Sequence, residues 1–319
     1  MAVRRDGTGR LHPPARRVAI GISRQLRALL ACVALLCILP GAAIAAPKRW
    51  RYTGASRIPL EYFQGVTSGP GKLLYFDGTF TGLYRTGARL REQARSIPNV
   101  IPPDVAMREG YNHIGDLSWD AAEGGRLLLP LECYNPLAGG NTCKTGSIGV
   151  ADPHTLRWRY YVKLDPAFID KAMWAEASPD GKLLWTSNGS GKDLLAYRMT
   201  DVNAANAAPA GPLLQPVVRL PGAVPPSGVT GGTFYKGRLL LAGQTGGPFR
   251  VWSIDTRTGK RRLEIERFIV GESEGLDIAR IRGGLLHWIV TPSLTSGRSP
   301  TYGVGHSALL HFRPRRPRP

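Results

Sequence analysis

A glycine followed by a short apolar run recurs five times along the chain. The segments are Gly71-Lys72-Leu73-Leu74-Tyr75, Gly125-Arg126-Leu127-Leu128-Leu129, Gly181-Lys182-Leu183-Leu184-Trp185, Gly237-Arg238-Leu239-Leu240-Leu241 and a looser Gly283-Gly284-Leu285-Leu286-His287. Their first glycines lie 54, 56, 56 and 46 residues apart. Glycine opens a tight turn, and the apolar run behind it fits a strand entered from a hairpin. A period of this length implies stacked copies of one supersecondary unit.

The flanks repeat too. Ahead of each turn stands a short segment of small and β-forming residues: Gln64-Gly65-Val66-Thr67, His113-Ile114-Gly115-Asp116, Glu176-Ala177-Ser178, Ser227-Gly228-Val229-Thr230 and Glu274-Gly275-Leu276-Asp277. A third strand candidate follows each run, for example Ile148-Gly149-Val150-Ala151 and Phe249-Arg250-Val251-Trp252. A fourth, more polar one follows in 156–162 and 262–268. Four strands per repeat predict an all-β chain folded as a five-bladed β-propeller. The last repeat lacks a fourth strand, and Lys48-Arg49-Trp50-Arg51-Tyr52 resembles Arg157-Trp158-Arg159-Tyr160-Tyr161 closely enough to supply it. An N-terminal strand would thereby close the ring and remove a sheet edge. Six blades are the alternative, and would require 86–112 to be a degenerate blade, against Pro98, Pro102 and Pro103. Short helices are expected only at 89–95 and 166–173.

The ends divide the chain further. Residues 1–27 hold seven arginines and one acid, then Ala28 to Leu39 are apolar, and Ala43-Ile44-Ala45 follows Pro40-Gly41. That order is the pattern of a secretory signal peptide over residues 1–45, with an apolar run too short to span a bilayer. The propeller is then expected over 46–312, with a basic Arg/Pro tail over 313–319. Export to a periplasmic or extracellular compartment follows, with no transmembrane segment after cleavage. Cleavage removes Cys32 and Cys37. Cys133 and Cys143, flanking a Gly/Pro/Asn loop, are expected to form a disulfide in that compartment.

The formal charge is +19; with seven of the 42 basic and one of the 23 acidic residues in 1–45, the remainder carries +13. No basic helix or aromatic stacking motif accompanies this charge, so nucleic acid is not an expected partner. HExxH, a phosphate loop, a dinucleotide fingerprint and a nucleophile elbow are absent from the sequence.

The innermost strands of a propeller line its channel. Aligned by their first residues, they place Gln64, His113, Glu176, Ser227 and Glu274 at the axis, with Asp116, Ser178 and Asp277 just behind. Converging carboxylates repel, and a bound cation relieves them; oxygen donors favour Ca2+ or Mg2+. His113 and Asp116 could form a base and its orienting carboxylate, but a spacing of three puts them on opposite faces of a regular strand. Glu132, at a strand end beside Cys133, and Glu272 are either poised over the channel mouth or solvated. The tryptophans are read as packing between blades, with Trp174 the one that adjoins an inner segment.

Ala175-Glu176-Ala177-Ser178 and Ser273-Glu274-Gly275-Leu276-Asp277 resemble inner-strand segments of the calcium-activated nucleotidases, the five-bladed apyrases. The resemblance implies a central Ca2+ with Glu176 and Glu274 as ligands and Ser227 as a third. His113 and Gln64 depart from that family's pattern, and its long nucleotide-binding stretches are missing. The stretch from His113 to Glu132 is also similar to exported bacterial propellers of unknown function.

Two functional classes follow. One is an exported, monomeric binding protein or scaffold for a small molecule, glycan or protein, with a structural cation in the channel. The other is a metal-dependent hydrolase of phosphoanhydrides, lactones or glycosides acting at the channel mouth.

Overall fold

All five repeat glycines adopt positive φ, between 66° and 109°. Each starts the strand that the apolar run was expected to form: Leu74–Asp77, Arg126–Glu132, Leu183–Thr186, Arg238–Gly243 and Leu286–Thr291. A computed structural model describes residues 49–78, 81–135, 137, 140–187, 192–244, 247–292 and 306–315. The segment expected to be a signal peptide, Cys32, Cys37 and the tail beyond Arg315 lie outside the described residues.

Five sheets form the blades, and the short pair Tyr134–Asn135 with Gly140–Asn141 makes a sixth, two-stranded one. Blade one holds Val66–Ser68, Leu74–Asp77, Leu83–Thr86 and Glu92–Ser96, from the inside outwards. Blade two has an inner strand broken into His113–Ile114 and Ser118–Asp120, then Arg126–Glu132, Ser147–Ala151 and Trp158–Leu164. Leu213–Leu214 adds to its outer edge in parallel. Blade three holds Glu176–Ala177, Leu183–Thr186, Leu194–Arg198 and Val218–Leu220. Blade four holds Gly231–Tyr235, Arg238–Gly243, Phe249–Ile254 and Arg261–Arg267. Blade five holds Glu272–Ile278, Leu286–Thr291 and His306–Pro314, completed by Trp50–Pro59 from the other end of the chain. The inner strands touch in sequence, one to two to three to four to five and back to one. The protein is a five-bladed β-propeller.

Why the second strands are apolar without alternation is visible in the packing. Leu127 and Leu129 face blade one, whereas Leu128 packs against blade three. Leu239 and Leu241 face blade three, and Leu240 and Ala242 face blade five. Trp288 and Val290 meet blade four while Ile289 meets blade one. Successive side chains of a strand point to opposite faces, and here both faces are buried. Five apolar clusters therefore fill the five interfaces. Trp174 belongs to one of them: it is fully buried between blades three and four and donates Nε1–H to Ser187 Oγ at 2.8 Å.

Four local expectations change. Residues 89–95 do not form a helix, because Leu90 adopts a positive φ of 60° in a turn and the chain returns as the strand Glu92–Ser96. Nor do 166–173, which run through turns into the next inner segment. A seven-residue helix forms instead at Pro103–Glu109, within the stretch that a sixth blade would have needed. The last strand continues to Pro314, because Trp50 and Arg51 pair with Pro314 and Arg313, and Arg315 N–H donates to Arg49 O. Cys133 and Cys143 are disulfide-bonded, with Cα atoms 5.1 Å apart. Among the described residues no helix is long and apolar enough to cross a membrane.

The closing strand is fastened by a buried hydrogen-bonded chain. His287 Nε2 lies 2.7 Å from Ala279 O, His287 Nδ1 2.8 Å from His311 Nδ1, and His311 Nε2 2.8 Å from Ser56 Oγ. Arg282 Nε–H donates to Ser56 Oγ at 3.2 Å. A carbonyl only accepts, so His287 Nε2 carries its proton. His287 Nδ1 then accepts from His311 Nδ1–H, and His311 Nε2 accepts from the Ser56 hydroxyl. Both rings are neutral in this arrangement, and burial pushes each down to about 4. Folding thus lowers both pKa values from 6.5, and the unfolded chain binds more protons in between. Stability from this chain is complete above about pH 6.5 and falls away towards pH 4. Urea unfolding at pH 7.5 and 4.5 should show it. Compared with a His287→Leu/His311→Leu variant, the wild type should lose roughly 2–4 kcal/mol on acidification. Equal pH responses of the two proteins would rule out this account of the closure.

Candidate functional site

The axis is organised around one carboxylate. Asp116 is buried, and its oxygens accept three backbone N–H groups from three other blades. Val66 N–H of blade one donates to Oδ1 at 3.0 Å; Gly232 N–H of blade four and Leu276 N–H of blade five donate to Oδ2 at 2.9 and 3.2 Å. Its own backbone reaches the remaining blade. Asp116 N–H donates to Met173 O, and Ala175 N–H donates to Asp116 O, each at 3.0 Å. Asp116 therefore touches every other blade of the ring. Burial pushes its carboxyl upwards, against the three amides that favour the ionised form.

Two irregularities aim the axial residues. In blade two, Ile114 pairs with Leu131 and Ser118 with Leu128, so the inner strand carries one residue more than its partner. The extra residue frees Asp116 from the ladder. In blade five, Ser273 pairs with Val290 and Leu276 with Trp288, again one residue in excess. That bulge brings Glu274 and Asp277, three apart, to the same side. Glycines make room: a Cβ on Gly275 would sit 2.5 Å from Asp116 Oδ1, and one on Gly115 1.9 Å from Met173 O.

Beneath Asp116 the acids are supplied with donors. Glu176 accepts from Ser118 Oγ–H at 2.8 Å and Phe234 N–H at 3.2 Å. Burial first, then Asp277, pushes Glu176 up to about 8. Asp277 accepts from Ser68 Oγ–H at 3.3 Å, and burial pushes it up to about 7; its Oδ2 has no partner.

Above Asp116, towards the ends of the second strands, the acids are poorly supplied. Glu274 is 8 % exposed, and its carboxylate makes no hydrogen bond among the described residues. Burial, then Glu272, Glu132, Asp116 and Asp77, holds it well above the usual carboxylate range. Asp77 is buried with Oδ1 on Gly65 N–H and Oδ2 unpartnered. Glu132 pairs with Lys171 Nζ at 3.1 Å. Gln64 is buried beside them, its carbonyl taking Gly275 N–H at 2.7 Å.

The aligned ring is thus split into layers. Gln64, His113 and Glu274 lie at the mouth, Asp116 at the centre, and Glu176 with Asp277 below. Glu176 and Glu274, expected to share a cation, stand on opposite sides of Asp116. The donors around Glu176 already occupy its oxygens, and among the described residues no three His, Cys, Asp or Glu side chains form a metal-holding group. Ser227 is buried in the turn that precedes its inner strand, which starts four residues later at Gly231. Ser178 is in a turn, capping Leu183 N–H. His113 and Asp116 do not pair: the Asp116 oxygens are taken by amides, while the His113 ring lies tilted against Tyr134, 5.7 Å between centroids, and its buried Nδ1 has no partner. Burial pulls the His113 imidazole down.

Asp77 and Lys171 escaped the sequence reading. A signal for Asp77 exists: each apolar second strand ends on a polar residue or runs into one, as Asp77, Glu132, Ser187, Gln244 and Thr291. Lys171 sits in a loop with no repeat to mark it.

No family model matches the chain, and no curated protein does. Solved structures do. The chain is similar to a glutaminyl cyclase of Myxococcus xanthus, at 11% identity over 84% of this chain and 97% of that one, with a TM-score of 0.51. It is also similar to a PQQ-bound aldose sugar dehydrogenase of Streptomyces coelicolor, at 12% identity over 84% and 100%, with a TM-score of 0.44. A GH43 glycoside hydrolase gives 11% identity over 82% and 52%, with a TM-score of 0.49. At such identities the likeness is one of fold.

Asn at position 116 would turn an amide N–H2 towards backbone N–H donors that now meet an oxygen. Asp116→Asn should lower the urea-unfolding free energy by roughly 2–4 kcal/mol, since buried donors lose their acceptor. A loss under about 0.5 kcal/mol, the size of a neutral surface change, would show that the blades do not depend on it.

Proposed function

We propose that this chain is an exported binding protein whose ligand enters the propeller mouth and presents a cationic group to Glu274. One observation carries the reading: a carboxylate nine-tenths buried, with no hydrogen-bond donor among the described residues, surrounded by other acids. Burial and these neighbours disfavour the ionised form, and a ligand cation would favour it. The setting supports an ammonium or guanidinium. The chain is basic as a whole, yet acids outnumber Lys171 at the mouth, which focuses a negative field in one place. Gln64 and His113 supply neutral polar edges that orient a ligand. The disulfide beside Glu132 accords with an oxidising compartment. Ca2+ is the competing occupant, held at the mouth by Glu274 rather than jointly with Glu176.

Burial and the neighbouring acids favour the neutral form of Glu274, so a cation that binds its ionised form is expected to release a proton. Affinity should rise with pH through the range between the ordinary carboxylate value and the raised one, and fall on acidification. Calorimetric titration of n-butylammonium and of Ca2+, in two buffers of different ionisation enthalpy, measures both affinity and proton release. Glu274→Gln should weaken n-butylammonium by about 10-fold or more and abolish the proton release. It should not lower Tm, because in the wild type the raised pKa makes stability decline as pH rises, and the amide escapes that decline. Ammonium affinity indifferent to Glu274→Gln would defeat the reading. Tight Ca2+ binding lost in that variant would replace the ammonium by the metal. Turnover of a phosphoanhydride, lactone or glycoside that depends on Glu274 would make the protein a hydrolase.

A further inference from the structure

The two faces of the ring differ in kind. First strands run inwards from the mouth, so the connections into them and the loops leaving the second strands all lie at the mouth. The opposite face carries turns such as 70–72, 122–124, 152–155, 180–181 and 255–259, all short and polar. The mouth face carries exposed apolar side chains: Met107 at 82 %, Leu137 at 98 % and Phe268 at 89 %, with Leu60, Ile97 and Phe168 less so. Isolated exposed apolar residues are ordinary. Their concentration on one face, in connections that also carry the acids, is not; among the described residues Leu213 and Val217, at the outer edge of blades two and three, lie off it. Leu60 is four residues from Gln64, Phe168 three from Lys171, Phe268 four from Glu272 and Leu137 five from Glu132. Extended chain spans at most about 3.6 Å per residue, so each lies within about 18 Å of a mouth residue.

We propose that this face docks an extended polypeptide segment, with a lysine or arginine entering the mouth and neighbouring apolar side chains lying on Met107, Phe168 and Phe268. The proposal rests on the cation reading of the mouth and extends it outwards. A small amine would fill the mouth and leave the rim uncovered. A second copy docked face to face would set one acidic mouth against another, because a two-fold interface joins like patches. A membrane carrying anionic lipid would meet the same acids. A basic segment flanked by apolar residues matches both the charge at the centre and the apolar rim.

The test uses a fluorescent positional-scanning library of end-blocked hexapeptides, followed by the best member. Selection of lysine or arginine at one position, with apolar residues beside it, is expected. Met107→Ser/Phe268→Ser, two exposed positions outside the mouth, should weaken that peptide by about 10-fold, or 1.4 kcal/mol, and leave n-butylammonium unchanged. Glu274→Gln should weaken both probes. No basic selection, or peptide affinity untouched by the rim variant, overturns the docking surface; n-butylammonium that still senses Glu274 then leaves the mouth reading standing. If neither probe senses Glu274, both fall. Two results overturn the proposal in favour of another occupant. One is binding to phosphatidylcholine/phosphatidylglycerol vesicles that the rim variant abolishes. The other is concentration-dependent dimerisation lost in the same variant.

Discussion

Three amides from three blades converge on the Asp116 carboxylate, and its own main chain is bonded to a fourth blade. A propeller has an inherent weakness at its axis. The inner strands present an unpaired edge, and there is no space for a further strand to cover it. A buried backbone N–H without a partner costs free energy comparable to a lost hydrogen bond. Val66, Gly232 and Leu276 each have one at the same level, and the two oxygens of one carboxyl group accept all three. The bulge in blade two exists to deliver that acceptor, and the glycines at 65, 231 and 275 exist to let the strands approach it. Any side chain at Gly231 or Gly275 would come within 2.8 Å of an Asp116 oxygen.

The rim of the ring obeys a different constraint. Apolar clusters hold each blade to the next, but the first and last blades of a linear chain have no covalent reason to meet. Trp50–Pro59 provides one by completing the blade that the C-terminal strands begin. Its ten residues pair along nearly their whole length, and the His287–His311–Ser56 chain adds a buried polar register mark. A slipped strand would leave imidazole nitrogens without partners, a heavier penalty than misplaced apolar contacts.

What could be read from the sequence follows from these two constraints. The turn glycines and the doubly buried second strands repeat because every blade needs them, so blade number, strand order and closure were legible. Closure was visible because Lys48–Tyr52 resembles a fourth strand elsewhere. The axial residues do not repeat. Asp116 acts once, for all blades, and a solitary residue leaves no periodic trace. Aligning inner segments by composition misplaced blade four, where Ser227 was put at the axis; counting back from the Lys236-Gly237 turn would have found Gly231 and Gly232. The Glu176–Glu274 pair failed to converge for a related reason. A bulge in one strand and none in the other shifts their heights along the axis, and bulges are not written in a single sequence.

The layers around Asp116 also explain why the mouth, rather than the lower channel, is where a ligand belongs. Both layers contain a buried acid, Glu274 above and Asp277 below. Below, the Ser118 hydroxyl and the Phe234 amide meet Glu176, and Ser68 meets one oxygen of Asp277, which leaves only the other Asp277 oxygen unanswered there. Above, Glu274 and one oxygen of Asp77 are left without donors, and Lys171 answers Glu132 alone. A packed interior tolerates few such groups, and those it keeps tend to mark places where stability has been given up for another role. Relieving the mouth internally would have needed one serine or asparagine on a neighbouring strand. An external donor fits the remaining gap, and the raised pKa of Glu274 makes its arrival a proton-linked event.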